Sequence, residues 1–110
     1  MATPSSGPQQ FFVLLHTPGP KWQADTGFRE QPKIIEHVRY MGGFMGTGQL
    51  ALGGPFLDNS GGMMVLRAAS IDEAQQIADA DPCVKSGLLK VTVREWRVVF
   101  ANWVESAAAT

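Results

Sequence analysis

Cysteine, charge and long apolar runs are all scarce in this chain of 110 residues. The lone cysteine, Cys83, excludes an internal disulfide and any zinc site built from several cysteines. Nine Lys and Arg against ten Asp and Glu give a formal net charge of -1, so no positive field favours nucleic acid or a membrane surface as a partner. No apolar run approaches the ~18–20 residues of a membrane-spanning helix.

The start of the chain is rich in Pro, Ser and Gly and lacks the basic start and apolar middle of a secretory signal. This absence predicts a cytoplasmic protein. Residues 1–10 and 105–110 have no periodic apolar pattern, so we expect flexible tails on either side of one domain over residues 11–104. The length is too short for two ordinary domains.

Short apolar runs that end at Gly or Pro predict four strands. These runs cover residues 11–15, 49–52, 63–68 and 88–100. The segment Asp58–Gly62 is rich in residues that tolerate positive φ, which predicts a hairpin between the second and third strands. Imperfect alternation around Arg94–Arg97 indicates a bulge, or burial on both faces, in the last strand.

Two segments have a helical pattern. In residues 33–47, four apolar side chains form one stripe that is expected to face the core: Ile34, Val38, Met41 and Met45. Gly42 and Gly43 weaken this helix and could allow another element to approach closely. The second helix is expected to begin at Ser70 with a capping box to Glu73 and to end at Asp81, before Pro82. Its expected core residues are Ile71, Ala74, Ile77 and Ala78.

The resulting order, strand-helix-strand-strand-helix-strand, predicts an α+β, ferredoxin-like fold with a four-stranded antiparallel sheet and both helices on one face. The other face of the sheet then needs cover. In a chain this small, a second copy of the chain supplies that cover most simply, so we expect a homodimer.

Residues 18–30 form a long polar loop between the first strand and the first helix. Loops of this length are often lids or binding loops. Trp22 and Phe28 are its large apolar side chains, and we expect Trp22 to change environment when a ligand binds.

Motifs of nucleotide binding, zinc hydrolysis, serine hydrolysis and thiol exchange are absent from the sequence. The remaining candidates for chemistry are His16, His37, Asp58, Asp81 and Cys83. His37 falls at the edge of the apolar stripe, where a histidine is either structural or, with a carboxylate partner, an acid–base group. Asp81 is a candidate partner, and equally a residue that caps a turn before proline.

Cys83 and His16 each have two interpretations. Cys83 could have its pKa lowered at the start of a helical turn, or it is simply a small buried apolar residue. His16, at the end of the first strand, either lines a site or lies at the surface. A metal bound by His16, His37 and a carboxylate is a further alternative, although no short ligand spacing supports it.

Several motifs occur in a characteristic order along the chain. They are Glu36-His37, the run TGQLALGGPF over 47–56, Gly61-Gly62, the helix start SIDEA over 70–74, ADADP over 78–82, and Gly87. With this pattern the chain resembles the YciI-like, or YCII-related, family from about Phe11 to Phe100. The resemblance implies the fold of a ferredoxin-like dimeric α/β barrel.

The resemblance also implies a His/Asp active centre, which falls on His37 and Asp81 of this chain. Two features depart from the family pattern: Glu95, where relatives often carry Pro, and the long loop over 18–30. These departures leave the substrate open. Where the family has been tied to chemistry, the reaction is dehydrochlorination of a chlorinated, hydroxylated aromatic compound.

The leading prediction is a small enzyme of the YciI-like kind, lyase-like, dehydrochlorinase-like or isomerase-like, that needs neither an organic cofactor nor a metal. His37 would act as general acid or base on a small substrate, for example an aromatic one, and Asp81 would orient His37 or share the proton transfer. The alternative is a non-catalytic dimer that binds a small molecule. Both hypotheses expect a small-molecule ligand and a second copy as partners, with no nucleic acid and no membrane.

The sequence also predicts the residues that bind the substrate. The backbone of Gly53, Gly54 and Pro55 would approach the ligand, where a free N–H could hold a developing oxyanion. Trp22 and Phe44 would form the apolar wall of the site, and His16 would line it.

Overall fold

The computed structural model describes residues 9–102. Four strands form its sheet: β1 (Gln9–Pro18), β2 (Leu50–Pro55), β3 (Gly62–Leu66) and β4 (Leu89–Val98). The α-helices are α1 (Ile34–Gly46), α2 (Ile71–Asp79) and the short α3 (Pro82–Lys85). A 3-10 turn over Phe28–Glu30 precedes α1. The tails expected over 1–10 and 105–110 lie outside the described residues, except that residues 9 and 10 belong to β1.

The sheet has the order β2-β3-β1-β4, and every neighbouring pair is antiparallel. This order, with a helix after β1 and after β3, confirms the predicted ferredoxin-like α+β plan. Neither alternative predicted for the last strand is right: β1 and β4 pair without a bulge from Gln9 opposite Val98 to Pro18 opposite Leu89, and residues 94–97 are exposed rather than buried on both faces. The irregularity lies in the edge strand β2, between Leu50 and Leu52.

The helix-covered face of the sheet holds the main core. Its buried residues come from β1, α1, β2, β3 and α2: Phe12, Leu14, Met41, Leu50, Leu66, Ala74 and Ala78. The predicted core stripe of α1 is only half right, since Val38 and Met45 are 50% and 59% exposed. The helix instead turns Ile34, His37 and Met41 inward. The buried face of α1 therefore includes His37, whose imidazole has a polar partner inside the fold.

The second helix also buries less than the sequence predicts. Ala74 and Ala78 are fully buried, whereas Ile71 is 36% exposed, because it is the first residue of α2 and lies at the rim of the core. The expected capping hydroxyl is present, since Ser70 Oγ accepts a hydrogen bond from Glu73 N at 3.1 Å. The Glu73 carboxylate accepts from Ala69 N at 2.6 Å, one residue earlier than a capping box requires.

Gly43 permits no close approach, contrary to the sequence-based expectation. No side chain or neighbouring element lies within 4 Å of a Cβ built on it. Since alanine favours a helix over glycine by about 1 kcal/mol, we expect Gly43→Ala to raise the free energy of unfolding by about that amount in urea titrations. Gly61→Ala is the contrasting control. Gly61 has φ +133, and an added Cβ would collide with the His16 carbonyl oxygen, so this variant should be less stable than the wild type.

The face of the sheet away from the helices has its own apolar cluster around Phe11, Val65 and Val98. Beside it lies a shallow depression lined by Val13, Leu15, Met63 and Trp96 together with the charged Arg94 and Glu95. Trp96 is 45% exposed. Among the described helices, none is both long and apolar enough to cross a bilayer.

Candidate functional site

Three buried side chains converge at one end of the sheet: His16 near the end of β1, His37 in α1, and Asp81 just before α3. Each is at most 2% exposed. Alternation along β1 places His16 on the same face as Phe12 and Leu14, beneath the helices. β1 thus brings His16 to the place where α1 and α3 meet.

Asp81 is both a helix cap and the partner of His37. Its Oδ1 accepts a hydrogen bond from Cys83 N at 2.9 Å, which caps α3, and Pro82 occupies the favoured first position of that helix. Its Oδ2 lies 2.5 Å from His37 Nδ1. Because the cap fixes the carboxylate, the second oxygen is aimed at the imidazole. The two interpretations of Asp81 that the sequence leaves open are therefore both present.

The hydrogen bond to Asp81 sets the tautomer of His37. A carboxylate can only accept, so the proton lies on Nδ1 of the imidazole. In the neutral ring, Nε2 is then the acceptor, which is the arrangement that general acid–base histidines use. A fixed ring with a defined tautomer can exchange a proton with a bound molecule.

His16 stands beside this pair without joining it by a hydrogen bond. Its Nε2 is 3.8 Å from Asp81 Oδ2, and its ring meets that of His37 edge to face, with centroids 4.8 Å apart. Among the described residues, neither ring nitrogen has a hydrogen-bond partner. Burial, assisted by the nearby His37, lowers the pKa of His16 to about 4, while Asp81 opposes the shift. His16 is therefore neutral at neutral pH and forms no ion pair with Asp81, although the distance would permit one.

A cavity of about 430 Å³ opens beside His16 and His37. This volume lies in the range of small-molecule sites. Most of its wall is apolar, with contributions from Phe28, Val38, Met41, Met45, Leu52 and Met64. Among the lining residues, His16 and His37 are the ones with ionisable side chains, and the rest of the wall is mostly apolar.

The structure places the predicted substrate-binding residues in two groups. Gly53, Gly54, Pro55 and His16 all line the cavity. Trp22 and Phe44 are not among the lining residues. The Trp22 ring packs against a cluster formed by Ile34, Cys83, Leu88 and Leu89, and its centroid is 5.9 Å from that of Phe28. The Phe44 ring packs on Tyr40 beside the main core, with the ring centroids 5.3 Å apart.

Phe28 is the loop residue that reaches the cavity, with its ring 6.2 Å from that of His37. The sequence names it as a large apolar residue but assigns the site to Trp22. Val38 and Met45 were also missed, because their helical spacing is typical of a core stripe. The apolar stripe of α1 is in fact shared between the core and the cavity wall.

The loop over 18–30 is tied to the domain. The buried Gln31 donates to the carbonyls of Gln23 and Thr26 at 2.8 and 2.7 Å, and it accepts from Gln23 N at 2.9 Å. Gly19 N also donates to Leu88 O at 2.9 Å. If Trp22 moved as a lid, hydrogen bonds of this kind would have to break, so these contacts favour a loop that keeps its position. The predicted response of Trp22 to ligand stays a prediction.

The other two candidates for chemistry lie in structural roles. Asp58 is exposed in the β2–β3 turn, where its carboxylate accepts from Ser60 N at 3.0 Å. Hydrogen bonds from the Ser60 side chain and backbone lower the pKa of Asp58. Cys83 is buried, and its Sγ donates to Lys33 O at 3.4 Å. Burial raises the pKa of the Cys83 thiol, which is opposite to the helix-dipole alternative. Neither residue lines the cavity.

Residues 10–97 match the YCII-related domain. The chain belongs to the YCII-related domain family. A similar protein is the uncharacterized protein YjpA of Bacillus subtilis (strain 168). It is 35% identical over 68 residues, which cover 62% of this chain and 80% of YjpA.

A solved structure shares the fold of this YCII-related domain. It is 5-chloro-2-hydroxyhydroquinone dehydrochlorinase (TftG) from Burkholderia phenoliruptrix AC1100, in complex with 2,5-dihydroxybenzoquinone. The TM-score is 0.61 at 22% identity, over 78% of this chain and 92% of the other. At this identity the likeness supports the architecture alone.

The three buried residues of the YCII-related domain also form a potential metal-binding set. His16, His37 and Asp81 each offer one ligand atom, and these atoms lie within 4.8 Å of one another. Both oxygens of Asp81 already accept hydrogen bonds, one from His37 and one from Cys83 N. The present arrangement is that of a hydrogen-bonded acid–base pair with a second histidine beside it.

Proposed function

We propose that this YCII-related domain is a small acid–base enzyme that works without an organic cofactor. His37 transfers a proton to or from a small hydroxylated substrate, and Asp81 holds its ring. The observation that carries the proposal is the buried His37–Asp81 hydrogen bond, 2.5 Å long, at the wall of a cavity that is otherwise apolar. A histidine sealed into packing would have supported a purely structural role instead.

The acid–base groups of this chain can lower the activation barrier of a reaction only to a limited extent. General acid–base help is worth about 10²–10⁴-fold in rate, so the site suits a substrate that is already activated. Loss of chloride from a hydroxylated ring is one such reaction. The lining residues Gly53 and Gly54 lie on the edge strand β2, where backbone N–H groups could support a developing oxyanion.

The substrate of the structural neighbour provides the first test. The purified protein is incubated with 5-chloro-2-hydroxyhydroquinone without oxygen, and released chloride is measured against a buffer blank. We expect catalysed release in the wild type and a loss of about 100-fold or more in His37→Gln. The matched control is Gln76→Glu, a change on the exposed side of α2 that should keep full activity.

A chloride release rate equal to that of the buffer blank would reject dehydrochlorination. If 2,5-dihydroxybenzoquinone nevertheless binds to the protein, the alternative of a non-catalytic binding domain is supported. The apolar cavity favours that second function, because it can bind a compact ligand without any proton transfer.

We also propose that the domain is a homodimer through the face of the sheet opposite α1 and α2. Val13, Leu15, Met63 and the half-exposed Trp96 line a depression there, with Arg94 and Glu95 beside them. Stable dimers bury roughly 1,200–2,000 Å² in total, and a sheet face with several partly exposed apolar side chains can contribute to such an interface. A second copy would remove these side chains from water.

The assembly is tested by light scattering during gel filtration at micromolar concentration. The wild type is expected at twice the mass of one chain. Leu15→Lys should shift it to the mass of one chain, because a charge would be buried in the interface. Gln76→Lys, on the opposite side of the domain, should leave the dimer intact. A wild type that elutes as a monomer would contradict the proposal.

A further inference from the structure

Gly53 and Met64 lie opposite each other in the β2–β3 pair, and both line the cavity. Directly opposed residues of an antiparallel pair have their side chains on the same face of the sheet. Residue 53 has no side chain, and the thioether of Met64 fills the space that one would need, because a Cβ built on Gly53 would overlap Met64 Sδ. The Met64 side chain therefore lies over the backbone of Gly53.

The other neighbours of Met64 determine where its side chain can move. Met64 pairs with Leu14 of β1 and packs against the main core. Leu14 and Met41 of that core are at most 1% exposed, and a closely packed interior has no room for a displaced thioether. The cavity is the adjoining open space. Because methionine is unbranched and adapts to irregular gaps, Met64 can move into the cavity when another group takes its place over Gly53.

We propose that Gly53 and Met64 together set the size of the largest ligand that the cavity accepts. While the thioether lies over Gly53, the cavity keeps its volume of about 430 Å³. A side chain at residue 53 would push the thioether into that volume, whereas a shorter side chain at residue 64 would enlarge it. The inference rests on the proposed function in taking the same cavity as the ligand site, and it adds a determinant of specificity that needs no proton transfer.

The test uses two uncharged fluorescent amines of different size, 1-naphthylamine and the larger N-phenyl-1-naphthylamine. Neither has an acidic hydroxyl, so their binding does not depend on proton transfer. Each amine is titrated at pH 7 against the wild type and its variants, and the ratio of the two dissociation constants measures size selection. In Gly53→Ala we expect the larger amine to lose about 10-fold in affinity relative to the smaller one, because the methyl group displaces the thioether into the cavity.

Two further variants and a control complete the series. Met64→Ala should shift the ratio about 10-fold in favour of the larger amine, because the cavity wall recedes. The double variant Gly53→Ala/Met64→Ala should accept the larger amine at least as well as the wild type does, since the methyl group no longer meets a thioether. Gly43→Ala adds the same methyl group at an exposed position of α1, where it meets nothing within 4 Å, and should keep the wild-type ratio.

An unchanged ratio in Met64→Ala overturns the inference, and this variant decides the matter alone if Gly53→Ala does not fold. A double variant that still excludes the larger amine overturns it too, because the methyl group would then act through the Met63 carbonyl oxygen, 3.1 Å from it. A wild type that binds neither amine contradicts the size limit, even where chloride release upholds the proposed function. The expected ratios without chloride release support the size limit while dehydrochlorination fails.

Discussion

Replacing Asp81 by alanine is expected to lower the free energy of unfolding by about 3 kcal/mol. Two costs combine in this variant. Loss of the cap on Cys83 N costs about 0.5–2 kcal/mol, and an unpaired His37 Nδ1 in the interior costs about 1–3 kcal/mol. Urea denaturation followed by circular dichroism measures the effect.

Two further variants separate stability from activity. Asp81→Asn keeps the side-chain volume and an oxygen that can cap α3, so its stability loss should be the smaller one. It cannot hold the proton on His37 Nδ1 as a carboxylate does, so we still expect activity to fall by about 10²-fold or more. Asp79→Ala, at an exposed position of α2, should change the unfolding free energy by about 0.5 kcal/mol at most. An Asp81→Ala protein that unfolds at the urea midpoint of the wild type would contradict the role of the carboxylate.

Acid is expected to destabilise the domain through His16. The pKa of His16 is about 4 in the folded protein, compared with the ordinary value of 6.5 in the unfolded chain. As the pH falls below 6.5, His16 binds a proton in the unfolded chain but stays neutral in the folded protein until the pH approaches 4. The contribution to stability is therefore complete above pH 6.5 and is lost as the pH falls towards 4. The pKa difference corresponds to about 3 kcal/mol.

The control for this effect is His16→Phe, because other groups also titrate in acid. The difference in unfolding free energy between wild type and variant isolates the histidine. We expect the wild type to lose about 3 kcal/mol relative to the variant between pH 7 and pH 4. At pH 7 the variant should itself be more stable by about 1 kcal/mol, because it removes two unpaired nitrogens from the interior. Parallel stability curves for the two proteins would refute the prediction.

The elements that the sequence predicts well are those encoded by local pattern. The order of strands and helices, the hydroxyl of Ser70 at the start of α2, and positive φ in the β2–β3 turn, at Asn59 and Gly61, are all present. A cap or a positive φ needs only the residues beside it. The orientation of α1 was less predictable. Two adjacent helix faces both carry apolar residues, and Val38 belongs to the cavity wall rather than to the core.

By itself, the sequence determined the βαββαβ order and named His37, Asp81 and His16 as candidates, because residue type and periodicity are local properties. Only the tertiary structure decided that His37 and Asp81, 44 residues apart in the chain, share a hydrogen bond. It also decided that His16 lies beside them without a partner, and that Phe28 rather than Trp22 reaches the cavity. These relations depend on how α1 and the loop dock on the sheet. That docking is set by long-range packing and by the pairing of buried polar groups, which no short segment of sequence encodes.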